Sequence, residues 1–491
     1  MVRVRMAPSP TGFIHIGNLR TGLYNELFAR NQNGSLILRF EDTDRSRYVE
    51  GAMESYCRSL KAMNLIPDEG AWIDENDQLI EQGDFGPYIQ SKRQQTHQDY
   101  AQKLIEMGHA YPCFCTEARL TEMRKAQQQA GEPTRYDRHC RSLDKEEAAE
   151  RIRKGEKHVI RLAVPTEGSV SFTDEVRGEV TFEWKEVDDQ VIIKSDGMPT
   201  YHLAAICDDH DMRITHVIRG EEWISSTPKH LFIYQSFGWE PPKLAHLPLL
   251  LNADRSKLSK RQGDVAVEDY LKKGYLPEAL LNFVALLGWN PTGDREQYSH
   301  EELIKLFDLA KVNKGGAVVN FEKLDWLNSQ YLRALSEKAF ADYARAEIQT
   351  VTEDAELQNK IAHIIRERIV KYEDIQPLAE DLMSDVSSLN AAIIPWKTQR
   401  ADDAAVKLTA VLDLFKIMPQ NDWESPEALE LKIKKMIEDH GWKNGEVLWP
   451  LRIALSGKKQ SPPPFDLLYL HGYTESKRRV ERAIELLNGT V

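Results

Sequence analysis

The chain has little cysteine, no long apolar run and no excess of positive charge. Five cysteines stand among 491 residues, and an odd number without an apolar leader argues against a disulfide framework. No apolar stretch approaches the ~20 residues needed to span a bilayer. The first residues carry no apolar signal core, so a cytoplasmic enzyme is expected. A Gly-x-Gly-x-x-Gly or Walker sequence is missing, which removes support from dinucleotide and P-loop readings. Internal repeats and low-complexity tracts are missing too. Lys and Arg number 64 against 77 Asp and Glu, a formal net charge of −13. Such a chain repels polyanions at long range, so a nucleic-acid partner has to be met on local basic patches. The candidates are Arg135, Arg138 and Arg141; Lys432, Lys434 and Lys435; and Lys477, Arg478 and Arg479. Each also reads as a solvated face.

Two short segments carry most of the chemistry. Val2–Met6 alternates apolar and basic residues, as a short strand does. Pro8, Pro10 and Gly12 then punctuate a loop. Leu19, Leu23 and Leu27, with Tyr24 and Phe28, mark one face of a helix beginning near Gly17. His15 thus sits at a helix N-terminus, where N–H groups and the helix dipole favour anions. Its imidazole could donate to a phosphate oxygen, and Gly17, lacking a side chain, would let a flat base approach. The second segment is Lys257-Leu258-Ser259-Lys260-Arg261. It follows the apolar run His246–Leu251, which reads as one buried strand. Cations on such a loop suit a leaving pyrophosphate. Taken singly, the first segment reads as readily as an ordinary strand–loop–helix turn, and the second as a solvated loop.

The rest of the chain falls into stretches. Residues 1–95 show βαβ signals, with Ser35–Phe40 as a second strand, which implies a parallel sheet with ligands at its carboxyl ends. Residues 96–200 hold a cysteine cluster, a polar helical run and strand-like pieces at His158–Val164, Val180–Trp184 and Val191–Lys194; they read as an insertion. The first fold resumes over 201–250, and a mostly helical connection follows over 251–335. Residues 336–491 read as helices, among them Leu357–Tyr372, Leu429–Asp439 and, after a break at Ser461–Pro464, Glu475–Leu487.

In the order found here, these segments resemble the ATP motifs of class I aminoacyl-tRNA synthetases. His15-Ile16-Gly17-Asn18 is similar to His-Ile-Gly-His, with Asn in the last place as is usual in the glutamyl branch. Lys257–Arg261 is similar to Lys-Met-Ser-Lys-Ser. Further stretches, Phe40–Asp44, Lys194–Ala204, Val217–Trp223, Leu286–Trp289 and Lys323–Asn328, resemble the bacterial-type glutamyl-tRNA synthetases along nearly the whole chain. The resemblance implies a Rossmann-like α/β catalytic domain, an inserted subdomain that binds the tRNA acceptor end, and an all-α anticodon-binding domain. It implies L-glutamate, ATP with Mg²⁺, and tRNA(Glu) as partners of a monomer; whether tRNA(Gln) is also charged stays open. Truncated tRNA-modifying relatives lack a long C-terminal domain, and glutaminyl enzymes pair this fold with a β-barrel, so the helical tail argues against both. Intact motifs argue against a non-catalytic tRNA-binding paralogue.

For ATP the matching residues are Pro8, Ser9, Thr11, His15, Gly17, Asn18, Trp223, Lys257, Ser259 and Lys260, with His15, Lys257 and Lys260 stabilising the transition state. A dicarboxylic amino acid needs cations for its carboxylates and an anion for its ammonium. Arg5, at the end of the first strand, and Arg219, after the apolar Val217-Ile218, suit the first need, and Glu41, at the end of the second strand, the second. The resemblance adds Ala7, Ser9 and Tyr201. Ala205 stands where some relatives carry Asn. Without the resemblance, Arg5 and Arg219 would be read as pairing with Glu41, Asp42 or Glu222.

Cys113, Cys115 and Cys140 could bind a structural zinc. Relatives place His two residues after the last Cys, where this chain has Ser142. The fourth ligand is then Tyr136, preferred here, or His139; a degenerate site folding without metal is the alternative.

Overall fold

The computed structural model describes residues 1–258 and 266–489. Two compact units divide them: Met1–Lys272 with Pro277–Leu324, and Lys273–Leu276 with Asp325–Val491.

The first unit begins with β1 (Arg3–Met6), β2 (Ser35–Leu38), β3 (Glu69–Ile73) and β4 (Leu79–Gln82), paired in that order. β1, β2 and β3 run parallel and β4 turns back antiparallel. Helix Ile16–Asn31 links β1 to β2 and buries Leu19, Leu23, Tyr24 and Leu27. A parallel pair requires such a crossover. β5 (Ala110–Cys113) and β6 (Val159–Leu162) pair antiparallel. β7 (Ser169–Asp174) and β8 (Gly178–Glu183) form a hairpin, and β9 (Val191–Ile193) adds to β6. β10 (His216–Gly220) pairs parallel with β11 (Lys243–Leu247), and β7 lies on the far edge of β11. Strands from the stretch read as an insertion thus extend the sheet built by β10 and β11. Thr215 donates its backbone N–H to Arg3 O at 2.9 Å, tying β1 to the start of β10. The carboxyl ends of β1, β2 and β10 therefore open on one side, where parallel sheets bind ligands.

The run His246–Leu251 is two strands rather than one. β11 ends at Leu247, and β12 (Leu250–Leu251) pairs with β13 (Ala317–Val318) in a separate sheet. Pro248 between them has no N–H for a ladder.

The second unit is helical and shares one apolar core that includes Phe340, Ile361, Leu408, Val411, Ile433, Leu451 and Leu468. Where a single helix was expected over Leu357–Tyr372, helix Ala355–Ile365 stops early. Side chains take the backbone groups that would have continued it: Asn328 Nδ2 donates to Val370 O, and Asp374 accepts from Val370 N at 3.1 Å. Helix Pro426–Asp439 covers the expected Leu429–Asp439. The last helix begins at Pro464, ahead of the expected Glu475, and breaks direction at Gly472, whose φ is 64°. Proline is favoured at a first helical position. Among the described residues no helix is long and apolar enough to cross a membrane.

Candidate active site

A cavity of about 630 Å³ opens at the carboxyl ends of β1, β2 and β10. The expected residues Arg5, Ala7, Pro8, Ser9, Thr11, His15, Asn18, Glu41, Tyr201, Arg219 and Trp223 all line it. Gly17 and Lys257 are not among the lining residues, and Ser259, Lys260 and Arg261 lie outside the described residues. Ala205 is buried in helix Tyr201–Asp211.

His15 is the N-cap of helix Ile16–Asn31. Its Nδ1 accepts from the backbone N–H of Gly17 at 3.0 Å and of Asn18 at 3.3 Å. Two of the N–H groups expected to face an anion are thus taken by the ring itself. The cap also fixes the neutral tautomer: Nδ1 accepts, so Nε2 carries the proton. Gly17 has its own reason to lack a side chain, because a Cβ there would meet His15 Cε1 at 2.9 Å.

The described residues on either side of 259–265 both join this scaffold. Leu258 N–H donates to Leu250 O at 2.9 Å, while Lys257 bridges Leu251 and is exposed. At the far end Ala266 forms an antiparallel bridge with His15, and Val267 N–H donates to Ile14 O at 2.9 Å. Segments remote in sequence therefore meet at the His15 cap.

Arg5 and Arg219 are held in opposite ways. Arg5 is buried, and its Nε reaches both oxygens of Asp209, at 3.1 and 3.3 Å. Buried Arg39 also reaches Asp209 at 2.8 Å and Glu41 at 3.0 Å. Arg5 thus pairs with Asp209, which is none of the carboxylates considered from sequence. Burial, the largest influence, pushes the Glu41 carboxyl up against the pull of Arg39 and Arg5. A substrate ammonium beside it would favour the ionised form. Arg219 makes no ion pair with a carboxylate among the described residues. Its guanidinium donates to Tyr201 Oη, Thr227 Oγ1 and His246 Nε2, each at 3.1 Å, and to His230 Nδ1 at 3.3 Å. A buried cation with neutral partners on one side and a cavity on the other is a site for an anion. Tyr201 also packs against Trp223 with the rings tilted by 33° and their centroids 4.0 Å apart.

Sequence reasoning did not single out Arg39, Asp209, His230, His246, Asp174 or Lys194. Only Arg39 carried a signal, since it stands two residues before Glu41 just past the end of β2, at an alternate position of the extended chain. Lys194 lines the cavity and donates to Thr43 O at 2.9 Å.

Away from the cavity, Cys113, Cys115 and Cys140 place their sulfurs within 4.8 Å of one another. Tyr136 Oη lies 3.3 Å from Cys113 Sγ and from Cys115 Sγ. His139 is exposed and outside this group. Burial works against ionisation of Cys113, but hydrogen bonding with Tyr136, the Cys115 backbone and Arg161 brings its thiol below the usual range. Cys115 is pushed up to about 11, chiefly by burial. Arg119 Nη1 sits 3.4 Å from Cys115 Sγ, and Arg161 lies over the Tyr136 ring. Three converging sulfurs with cations beside them fit a divalent soft metal, and one phenol oxygen completes four donors.

The basic clusters fare unequally. Arg138 and Arg141 turn toward Asp189, at 3.4 and 3.3 Å. Arg479 is buried and donates to Leu455 O at 2.6 Å. These three hold local structure, whereas Lys434 and Lys435 are exposed.

Comparison with known proteins follows these boundaries. Residues 1–326 match the catalytic domain of class I tRNA synthetases (E and Q), and residues 330–484 match an anticodon binding domain. The glutamate–tRNA ligase of Alkaliphilus metalliredigens is 43% identical, over 99% of each chain. That of Clostridioides difficile is 52% identical over 70% of each chain. A crystal structure of a glutamate tRNA ligase from Elizabethkingia meningosepticum, in complex with its amino acid, superposes with a TM-score of 0.86 at 34% identity, covering 99% of each chain.

Proposed function

The chain belongs to the glutamate–tRNA ligases of class I, and from that premise we propose how its own residues carry out the two steps. Glutamate lies in the cavity with its ammonium at Glu41, its side-chain carboxylate at Arg219, and Arg5, Ala7, Ser9 and Tyr201 around it. ATP lies between the His15 cap and the Lys257–Lys260 segment, against Pro8, Ser9, Thr11, Gly17, Asn18, Trp223 and Ser259. The α-carboxylate attacks the α-phosphorus in line, the bond to the bridging oxygen breaks, and pyrophosphate leaves. His15 Nε2–H, Lys257 and Lys260 stabilise the charge moving onto the leaving group. Positioning and electrostatics are enough for this, and no acid or base is required. Mg²⁺ accompanies the ATP phosphates as part of the substrate. The 2′-hydroxyl of the terminal tRNA adenosine then attacks the activated carbonyl carbon and AMP departs.

One observation carries this reading. A single cavity is lined by the His15 imidazole, a buried Arg219 with no carboxylate partner among the described residues, and a buried Glu41. The test is glutamate-dependent exchange of pyrophosphate into ATP with tRNA present. Glutamate is expected to support exchange and glutamine to give none; equal exchange with both would overturn the pocket assignment. Charging purified tRNA(Glu) and tRNA(Gln) in parallel decides between one acceptor and two. The stretches 96–200 and 336–491 serve the acceptor end and the anticodon. We take the enzyme to act as a cytoplasmic monomer.

Zinc would be held by Cys113, Cys115, Cys140 and Tyr136, with no position left open for catalysis. It would tie β5 to the turn at 136–142. Purified protein is expected to carry about one zinc per chain, and Cys113→Ser to lose it together with thermal stability. Wild-type protein without zinc above background would assign the cluster to packing alone.

A further inference from the structure

Arg219, His246 and Asp174 lie on three adjacent strands, β10, β11 and β7. Arg219 and His246 are direct register partners in the parallel ladder, and Leu244 on β11 pairs with Asp174. The order of the strands therefore lines up a cation, an imidazole and a carboxylate on one face. His246 Nδ1 is 2.6 Å from Asp174 Oδ2, and both residues are buried. A carboxylate at that distance keeps the proton on Nδ1 and leaves Nε2 as a bare acceptor. That acceptor receives the Arg219 Nε–H at 3.1 Å. Asp174 is itself fixed by the backbone N–H groups of Val176 and Arg177, at 3.0 and 2.8 Å.

A second imidazole works from the other side. His230 Nδ1 accepts from both terminal nitrogens of Arg219 at 3.3 Å, so its Nε2–H points to His202 Nδ1, 3.1 Å away. Burial holds His202 down at about 3 and His230 well below its usual value, so both stay neutral beside the guanidinium. The guanidinium is thus oriented by acceptors that leave its charge intact.

We propose that Asp174 and His246 are positioning residues for the known reaction. By fixing the tautomer that accepts from Arg219, they hold its guanidinium rigidly toward the substrate carboxylate without cancelling its charge. A direct carboxylate partner would orient Arg219 equally well but would neutralise it, and the pocket would then accept a neutral side chain more readily. This rests on the reading of Arg219 as the glutamate carboxylate site.

The test uses a matched pair of variants in pyrophosphate exchange with tRNA present. His246→Gln places an amide oxygen where Nε2 was and keeps the acceptor for Arg219. His246→Asn reaches only the Nδ1 position, keeping Asp174 and losing Arg219. His246→Asn is expected to raise the glutamate KM about tenfold, the loss of one hydrogen bond to a charged group, with the ATP KM and kcat within about twofold. His246→Gln is expected to stay near wild type in both. Equal glutamate KM values for Asn and wild type would overturn the proposal, as would equal losses in Asn and Gln accompanied by a raised ATP KM. Arg219→Met is the control for the underlying reading. If it leaves the glutamate KM unchanged, the carboxylate assignment fails; if it raises KM while His246→Asn does not, only the positioning role fails.

Discussion

Replacing Arg219 by Met should lower kcat/KM for glutamate roughly a hundred- to a thousand-fold, almost entirely through KM. The substituted side chain is close in length but brings no charge, so the incoming carboxylate enters a buried site with no cation to receive it. Removing one partner of a buried, hydrogen-bonded charge pair costs about 3–5 kcal/mol. The residues proposed to face ATP are untouched, so the ATP KM should move little. Discrimination against glutamine should shrink in step, because its neutral amide never depended on the guanidinium charge. Steady-state exchange kinetics with both amino acids check this, with thermal unfolding to establish that the variant folds. A variant that kept the wild-type preference for glutamate would remove Arg219 from the specificity site.

His15→Ala should slow glutamyl-adenylate formation by roughly 10²–10³-fold, the usual loss for one donor aimed at developing charge, while glutamate binding stays close to wild type. The same substitution removes a helix N-cap, which costs about 1 kcal/mol of stability. His15→Asn separates these effects. Asn is a good cap and can accept from the Gly17 and Asn18 backbone, but it has no Nε2–H. Stability should return in His15→Asn while the rate stays low. Recovery of both would make the residue a cap and nothing more. Lys260→Ala should slow the same step without weakening glutamate binding. Rapid-quench measurement of adenylate, alongside equilibrium glutamate binding, reads all three.

The residues legible in the sequence are those whose neighbours announce them. Arg5, Glu41 and Arg219 each stand at or just beyond the end of a short strand-like stretch, and a strand end in a parallel sheet is where a ligand is met. His15 is announced by the Pro-rich loop before it and the leucine face after it. Pro248 carried a signal that the apolar run around it concealed, since proline cannot donate in a ladder. What could not be read is how these residues are held. Asp209 is on a helix more than 200 positions from Arg5, and its contact with both Arg5 and Arg39 exists only after the sheet and that helix have packed. The strand order β10, β11, β7 is likewise a tertiary fact, so no local pattern links Asp174 to His246 or His246 to Arg219. The fourth donor to the cysteine group was undecided between Tyr136 and His139 for a similar reason: spacing offers both, and only the turn at 136–142 sends one inward and the other to solvent.

The opposite ways in which the two arginines are held also set how readily the pocket could evolve. Exchanging Arg5 for a neutral side chain leaves Asp209 sharing one remaining cation, Arg39, inside the protein, and an under-compensated buried carboxylate is among the costliest single lesions. That position is locked unless Asp209 changes with it. Arg219 is anchored by a phenol, a hydroxyl and two neutral imidazoles, so its loss strands acceptors but no buried anion. A descendant adapting to an uncharged amino acid could therefore begin at Arg219 with one substitution and keep its fold, whereas a change at Arg5 would need a compensating partner first.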